Sequence, residues 1–201
     1  MIPLAFVEPP SSSPSSPLGL VLATTHLYWD PQNEDVKHAQ AEYLLHRMDQ
    51  WMGRELGEGR GRFPLVLAGD FNSLPSSSVY RFITEGHISA TDLPAWTAAG
   101  APRLKDVGMD SFAVSYLEGP HCHGLSLKSA YGARAEGEPG FTNYTPNWQG
   151  TIDYIFFSPP LRCGSVLPFP SIEEVSEEAG GLPNSQHASD HLPLLAELFI
   201  Q

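Results

Sequence analysis

Apolar residues fall in short runs separated by stretches rich in glycine, proline and serine. Leu18–Leu27 is largely apolar and ends in Thr24-Thr25-His26, the signature of a short buried strand. Val36, Ala39, Tyr43, Leu44 and Trp51 recur near helical spacing, which predicts a helix opened by Asn33 or Asp35 and reaching about Trp51. The charged, glycine-rich stretch 53–62 ends it. Pro64–Ala68 predicts a second strand, running directly into Gly69-Asp70-Phe71-Asn72. Ser76–Glu85 predicts a short helix, with serine near its start and Gly86 just beyond its end. Thr151–Ser158, β-branched and aromatic, predicts a third strand that Pro159-Pro160 stops, and Leu192–Ile200 a last one. Residues 1–17 end in a Ser/Pro-rich loop, 87–140 show little periodicity and predict long functional loops, and 171–189 predict an acidic loop. Four strands with helices between them predict a layered α/β arrangement.

Composition limits what such a fold does. The chain has 201 residues, 41% of them apolar, enough for one packed core. It carries 23 Asp+Glu against 11 Lys+Arg, a formal charge of −12. Phosphate affinity comes mainly from Lys and Arg, so this is not the balance of a general nucleic-acid binder. A bound divalent cation reverses the local field at a carboxylate cluster, which leaves a metal-assisted phosphate chemistry open. Two cysteines without a CxxC motif exclude a disulfide scaffold and a structural zinc site. His121-Cys122-His123 lacks a second ligand pair at zinc spacing and reads as a polar loop. No apolar run approaches a membrane span, and the opening Met1–Val7 lacks the basic start of a secretory signal, so an intracellular protein is expected.

Polar residues meet the predicted strands at or near their ends: His26, Asp70 with Asn72, Asp153, and Asp190 with His191. Each alone has an ordinary explanation, a turn, a cap or a surface histidine. Asp153 is the hardest to dismiss, because a carboxylate inside an apolar strand requires a partner, either backbone amides or a cation. Together they have a chemical logic. Carboxylates and an amide bind a hard cation. One carboxylate orients water for in-line attack, and a histidine held by another donates to a phosphoryl oxygen. This is the apparatus of metal-assisted phosphodiester hydrolysis.

Four words carry a more specific resemblance: Thr25-His26-Leu27, Gly69-Asp70-Phe71-Asn72-Ser73, Gly150-Thr151-Ile152-Asp153-Tyr154-Ile155 and Ser189-Asp190-His191. In this order they resemble successive motifs of the endonuclease/exonuclease/phosphatase superfamily. The words around them, His26-Leu27-Tyr28-Trp29-Asp30-Pro31, Asp35-Val36-Lys37 with Gln40, Leu127–Gly132 and Phe141–Thr145, are similar to the carbon-catabolite-repressor-type deadenylases and their Angel and nocturnin relatives. The arginine after GDxN and the W-C-D-R word of inositol-polyphosphate phosphatases do not occur.

The resemblance implies an α+β fold, the DNase I-like four-layer α/β/β/α sandwich, with residues 18–201 as its C-terminal half and 1–17 outside it. It implies a hydrolase that uses Mg²⁺ (or Mn²⁺) to remove nucleotides from RNA 3′ ends, as a 3′-5′ exoribonuclease on poly(A). Asp70 matches the aspartate that positions or deprotonates the attacking water, and Asn72 the asparagine that holds phosphate and water. His191 matches the catalytic histidine, Asp153 its orienting carboxylate, and His26 a phosphate contact. Asp190, with Asp70, matches the metal site. Phe141 and Asn143 match contacts to the terminal base, with core packing the open alternative for Phe141. The family's early asparagine and metal-binding glutamate precede the THL strand, and Glu8 in its Phe-Val-Glu-Pro-Pro setting does not resemble that glutamate. The chain on its own is therefore expected to hydrolyse poly(A) negligibly. Alternatives are a phosphodiesterase or phosphatase of the same superfamily, acting on a nucleotide cofactor or 2′,5′-oligoadenylate, and a non-catalytic binding module.

Overall fold

A computed structural model describes residues 19–56, 63–89, 91–93, 121–175 and 180–200. Much of the expected loop region 87–140, and part of the acidic loop 171–189, lie outside these. The elements are β1 (Val21–His26), α1 (Glu34–Leu56), β2 (Leu65–Asp70), α2 (Ser78–Glu85), β3 (Lys128–Ser129), β4 (Asn143–Thr145), β5 (Trp148–Gly150), β6 (Asp153–Phe157), β7 (Leu161–Val166), α3 (Ile172–Val175) and β8 (Ala196–Ile200).

The central sheet has the order β1-β2-β6-β3. β1 and β2 are parallel, with α1 as the crossover, while β6 is antiparallel to both of its neighbours. Alternation along each strand divides its residues between two layers. Leu65, Leu67, Tyr154 and Phe156 pack with Ala41, Leu45 and Phe82 of the helices. Val66, Ile155 and Phe157 pack with Val166, Ala196 and Leu198 of the β7–β8 hairpin. The result is helix on sheet on sheet, an α+β arrangement with three layers of the expected sandwich. A smaller cluster of Phe141, Val175, Leu182 and Leu192 lies beside it.

Local chemistry explains the boundaries. Asn33 immediately precedes α1, and Ser77 caps α2, its side chain accepting from the Tyr80 amide. Gly86 closes α2 in the left-handed region at φ 79°. Gly69 is required for a different reason: a Cβ there would run into the Thr25 carbonyl of the neighbouring strand.

The buried face of α1 differs from the one its apolar spacing predicts. Tyr43 is 49% exposed, whereas His38, Ala41, Glu42, Leu45 and Met52 face inward. These also recur at helical spacing, but two are polar, and hydropathy sends those outside. They are tolerated because they pair: His121 Nδ1 lies 2.9 Å from Glu42 Oε2, and His38 Nδ1 lies 3.1 Å from Ser78 Oγ. The His121-Cys122-His123 loop is thus docked on the helices, with His46 at 2.9 Å from the Cys122 carbonyl and His123 at 2.9 Å from that of Phe82.

Candidate active site

Three of the expected site residues form one row across adjacent strands. His26 of β1 is the register partner of Asp70 of β2, and Asp70 is the partner of Asp153 of β6. Neighbouring strands lie about 4.8 Å apart, so a shared row brings the three residues together without a long loop. By alternation they issue from the face that packs on the hairpin, at the end where β1 and β2 finish and β6 begins.

His191 reaches the row from the loop before β8. Its Nδ1 lies 2.8 Å from Asp153 Oδ2. A carboxylate only accepts, so Nδ1 carries the proton and donates it. The Thr142 hydroxyl donates to the same oxygen at 2.7 Å, while Thr142 Oγ1 accepts from the Asp153 amide at 3.1 Å. The expected Asp153–His191 pairing is therefore present, and the buried carboxylate has its partners. His191 Nε2 points the other way and lies 4.0 Å from Asp70 Oδ2. His26 Nε2 lies 3.5 Å from the same oxygen, and its side chain is largely exposed.

Asp70 Oδ1 accepts the Asn72 amide at 2.8 Å. Burial raises the Asp70 pKa above the usual carboxylate value; the Asn72 amide opposes this, and the nearby Asp153 charge adds to it. Asn72 sits in the left-handed region at φ 48°, and its Nδ2 donates to the Leu27 carbonyl at 2.9 Å. One amide hydrogen of Asn72 is thus committed to holding the end of β1. Lys37, missed from the sequence as a site residue, is buried on α1 and donates from Nζ to the Asn72 carbonyl at 2.8 Å. Burial lowers its pKa. Its motif word was visible, but nothing in the sequence aimed it at Asn72.

Among the described residues, Asp70, Asp153 and His191 are the group of three whose ligand atoms lie within 4.8 Å of one another, a possible site for a metal ion. Asp190, expected beside Asp70 at the metal, is not in that group. Its Oδ2 instead accepts from Asn143 Nδ2 at 3.2 Å. Asn143 bridges to His191 along the backbone, which brings both Asn143 and Asp190 to the rim of the row. Phe141 takes the alternative place open to it: it is 6% exposed, packed in the cluster with Leu182 and Leu192, and offers no free face to a base.

The Asp70 carboxylate thus faces a histidine held by Asp153, with a possible site for an ion among the three, on a layered α+β scaffold. The chain belongs to the endonuclease/exonuclease/phosphatase family, whose sequence model matches residues 10–191. It is 38% identical over 184 residues to carbon catabolite repressor protein 4 homolog 4 of Arabidopsis thaliana, covering 90% of this chain and 38% of that protein. It is 36% identical over 178 residues to the CCR4-Not complex 3′-5′-exoribonuclease subunit Ccr4 of Saccharomyces cerevisiae, covering 86% of this chain and 19% of that one. Among solved structures it is similar to ANGEL2, a 2′,3′-cyclic phosphatase, in complex with adenosine-2′,3′-vanadate: TM-score 0.69, 27% identity, 97% of this chain and 60% of that one. The chain thus spans less than two thirds of the length of each of these relatives.

Proposed function

We propose that this chain carries the water-activating and proton-donating side of a Mg²⁺-dependent 3′-5′ exoribonuclease that shortens poly(A). The observation that carries the reading is the His191 Nδ1–Asp153 Oδ2 hydrogen bond of 2.8 Å, which leaves Nε2 facing the carboxylate of Asp70. Asp70 orients a water against phosphorus and accepts its proton. His191, fixed in one tautomer by Asp153, presents Nε2 to the phosphoryl oxygens and stabilises the charge that builds there. His26 adds a donor on the exposed side. Asn72 holds the loop that positions Asp70, and its remaining amide hydrogen faces the phosphate. Asn143 and Asp190 close the rim.

The donor set suits a divalent cation. Two carboxylates meet beside one another with no Lys or Arg in the row, and Asp70 is already pushed toward its neutral form by burial, which a bound cation would reverse. Asp70 would supply a direct oxygen to Mg²⁺, with Asp190, held by Asn143 at the rim, reaching the ion through water; the ion would polarise the phosphate and stabilise its developing charge. RNA 3′ ends are the proposed partner, and an intracellular site of action follows from that substrate. Among the described residues no helix is long and apolar enough to cross a membrane.

A second reading has its own support. Mouse 2′,5′-phosphodiesterase 12 is 34% identical over 93% of this chain. The same row would serve a 2′,5′ linkage, since the phosphodiester chemistry is unchanged. The test replaces the matched segment of the yeast Ccr4 subunit with this chain and follows labelled 3′,5′- and 2′,5′-linked oligo(A) with Mg²⁺. Trimming of the 3′,5′ strand, abolished by Asp70→Ala and by His191→Ala, is expected. Preference for the 2′,5′ strand favours the second reading, and trimming that survives both substitutions overturns the site.

A further inference from the structure

Cations are scarce in this chain, 11 Lys+Arg against 23 Asp+Glu, yet three of them meet in one place. Lys128, Arg134 and Arg162 line a cleft of about 660 Å³, and none of the described residues that line it is acidic. That volume falls within the range of small-molecule sites. Much of the remaining wall is apolar, formed by Phe157, Leu161 and the Pro159-Pro160 turn. Phe157 and Leu161 are buried in the layer between the central sheet and the β7–β8 hairpin, so the floor of the cleft is part of the packed core.

The cleft is separate from the row that holds Asp70 and Asp153. Lys128 of β3 is the register partner of Phe157, which stands four residues along β6 from Asp153 and on the same face. The two places are thus about 13 Å apart along the strand. Ile155, between them on that face, packs against the hairpin layer, so the sheet surface that would join them is covered. Lys128 is exposed and has no hydrogen-bond or ion-pair partner among the described residues. Arg134 is anchored: its Nη1 donates to the Gly164 carbonyl at 2.9 Å, which ties the turn after β3 to β7 and leaves the rest of the guanidinium fork for a ligand. Arg162 lies on β7 itself. Glu197, on β8, accepts from the Ser165 hydroxyl at 3.0 Å and takes no part in the wall. Burial raises the pKa of Cys163, so the thiol on the wall is neutral and adds no charge that would repel an anion.

We propose that this cleft binds a nucleoside diphosphate, at a site separate from the Asp70–His191 centre. Three positive side chains with no carboxylate among them suit two linked phosphates, which arginine takes through its planar fork and lysine as a point charge. The apolar wall of Phe157, Leu161 and the prolines suits the flat body of the base. An RNA strand is the rival source of phosphates. A strand-binding surface carries its cations along the path to the reacting end. Here three gather in one cleft at the far end of β6, beyond a covered face, in a chain whose net charge is −12.

The experiment follows ADP binding to the purified chain by ¹H–¹⁵N spectroscopy and calorimetry, in EDTA so that no divalent cation occupies the carboxylate row. ADP is expected to shift the amide signals of Lys128, Arg134, Arg162 and Cys163 and to leave those of Asp70, Asn72 and His191 in place. It should also slow alkylation of Cys163, read by mass spectrometry, without protecting the exposed Cys122, an internal control outside the cleft. Lys128→Gln and Arg162→Gln, both at exposed positions, should each weaken ADP binding about tenfold, and Asp70→Asn should not. Inorganic pyrophosphate should bind more weakly than ADP. Circular dichroism confirms that each variant folds. No ADP binding, binding that both cleft substitutions leave intact, or shifts confined to Asp70, Asn72 and His191 overturns the site. Pyrophosphate that binds as tightly as ADP overturns the nucleoside diphosphate as its ligand. Oligo(A) without a terminal phosphate that shifts the cleft signals at lower concentration than ADP assigns the cations to an RNA strand and overturns the proposal.

Discussion

Acidification should unlock α1 through His38. Its ring is fully buried, beside Phe82, with Nδ1 at 3.1 Å from Ser78 Oγ and Nε2 at 3.9 Å from Glu42 Oε2. Burial pushes its pKa down to about 4, and the charge of His121 adds to this. In the unfolded chain the ring titrates near its ordinary value of about 6.5. The unfolded state therefore binds a proton first as pH falls. Stability is intact above the unfolded value and is lost progressively down to the folded one. A gap of roughly 2.5 units corresponds to about 3 kcal/mol. His38→Asn keeps a hydrogen-bonding atom near the position of Nδ1 but does not titrate. Urea unfolding of both proteins between about pH 7 and pH 4 isolates the effect, because the carboxylates common to both cancel in the difference. The unaltered chain should lose about 3 kcal/mol more than His38→Asn over that interval. Parallel losses would refute the buried neutral histidine.

Asp153→Asn in the yeast chimera should lower turnover roughly a hundredfold or more with KM changed little, since the histidine loses its fixed tautomer rather than its place; steady-state kinetics separates the two. Lys37→Met removes the donor to the Asn72 carbonyl, so the backbone amide signals of Asp70 and Asn72 should shift in ¹H–¹⁵N spectra; an unchanged spectrum around residues 70–72 counts against the anchor. Mn²⁺ binding by calorimetry should weaken at least tenfold in Asp70→Asn and change little in Asp92→Asn, an exposed carboxylate paired with Arg81. The purified chain, assayed alone with Mg²⁺, should trim oligo(A) negligibly; robust trimming that Asp70→Ala abolishes would show that it needs no further metal ligand.

What the sequence disclosed and what it withheld divide along physical lines. β1, β2, β6 and α2 were legible because each is a compact apolar run near a strong signal: Gly69 at the end of the predicted run Pro64–Ala68 and inside β2, Gly86 after the helix, Pro159-Pro160 after the third. The last strand was legible too, although it begins at Ala196 rather than Leu192. β7 was not, since Arg162, Gly164 and Ser165 interrupt its apolar residues and its partner β8 supplies the missing hydrophobic context. β5 and α3 are too short to show a period. The inward face of α1 was misjudged because His38 and Glu42 meet their partners, Ser78 and His121, only after folding. Asp153 was legible as a residue in need of a partner, and the His191 bond meets that need. Phe141 was ambiguous at the sequence level, because an aromatic in a short motif serves a base or a core equally well, and only its burial decides between them.

The row His26–Asp70–Asp153 makes the strand interiors a measuring tape. A single residue inserted within Leu65–Ala68 would rotate Asp70 toward the helices and set a leucine-row residue in its place, on the face that carries His26 and Asp153. The apolar layers would be scrambled by the same slip, so the error would appear as misfolding rather than as a folded enzyme with weak activity. Length variation between related chains should therefore fall outside β1, β2 and β6, with their internal spacing preserved even where residue identities drift. Redesign of this centre has the same constraint: side chains can be exchanged along the row, but its phase belongs to the sheet.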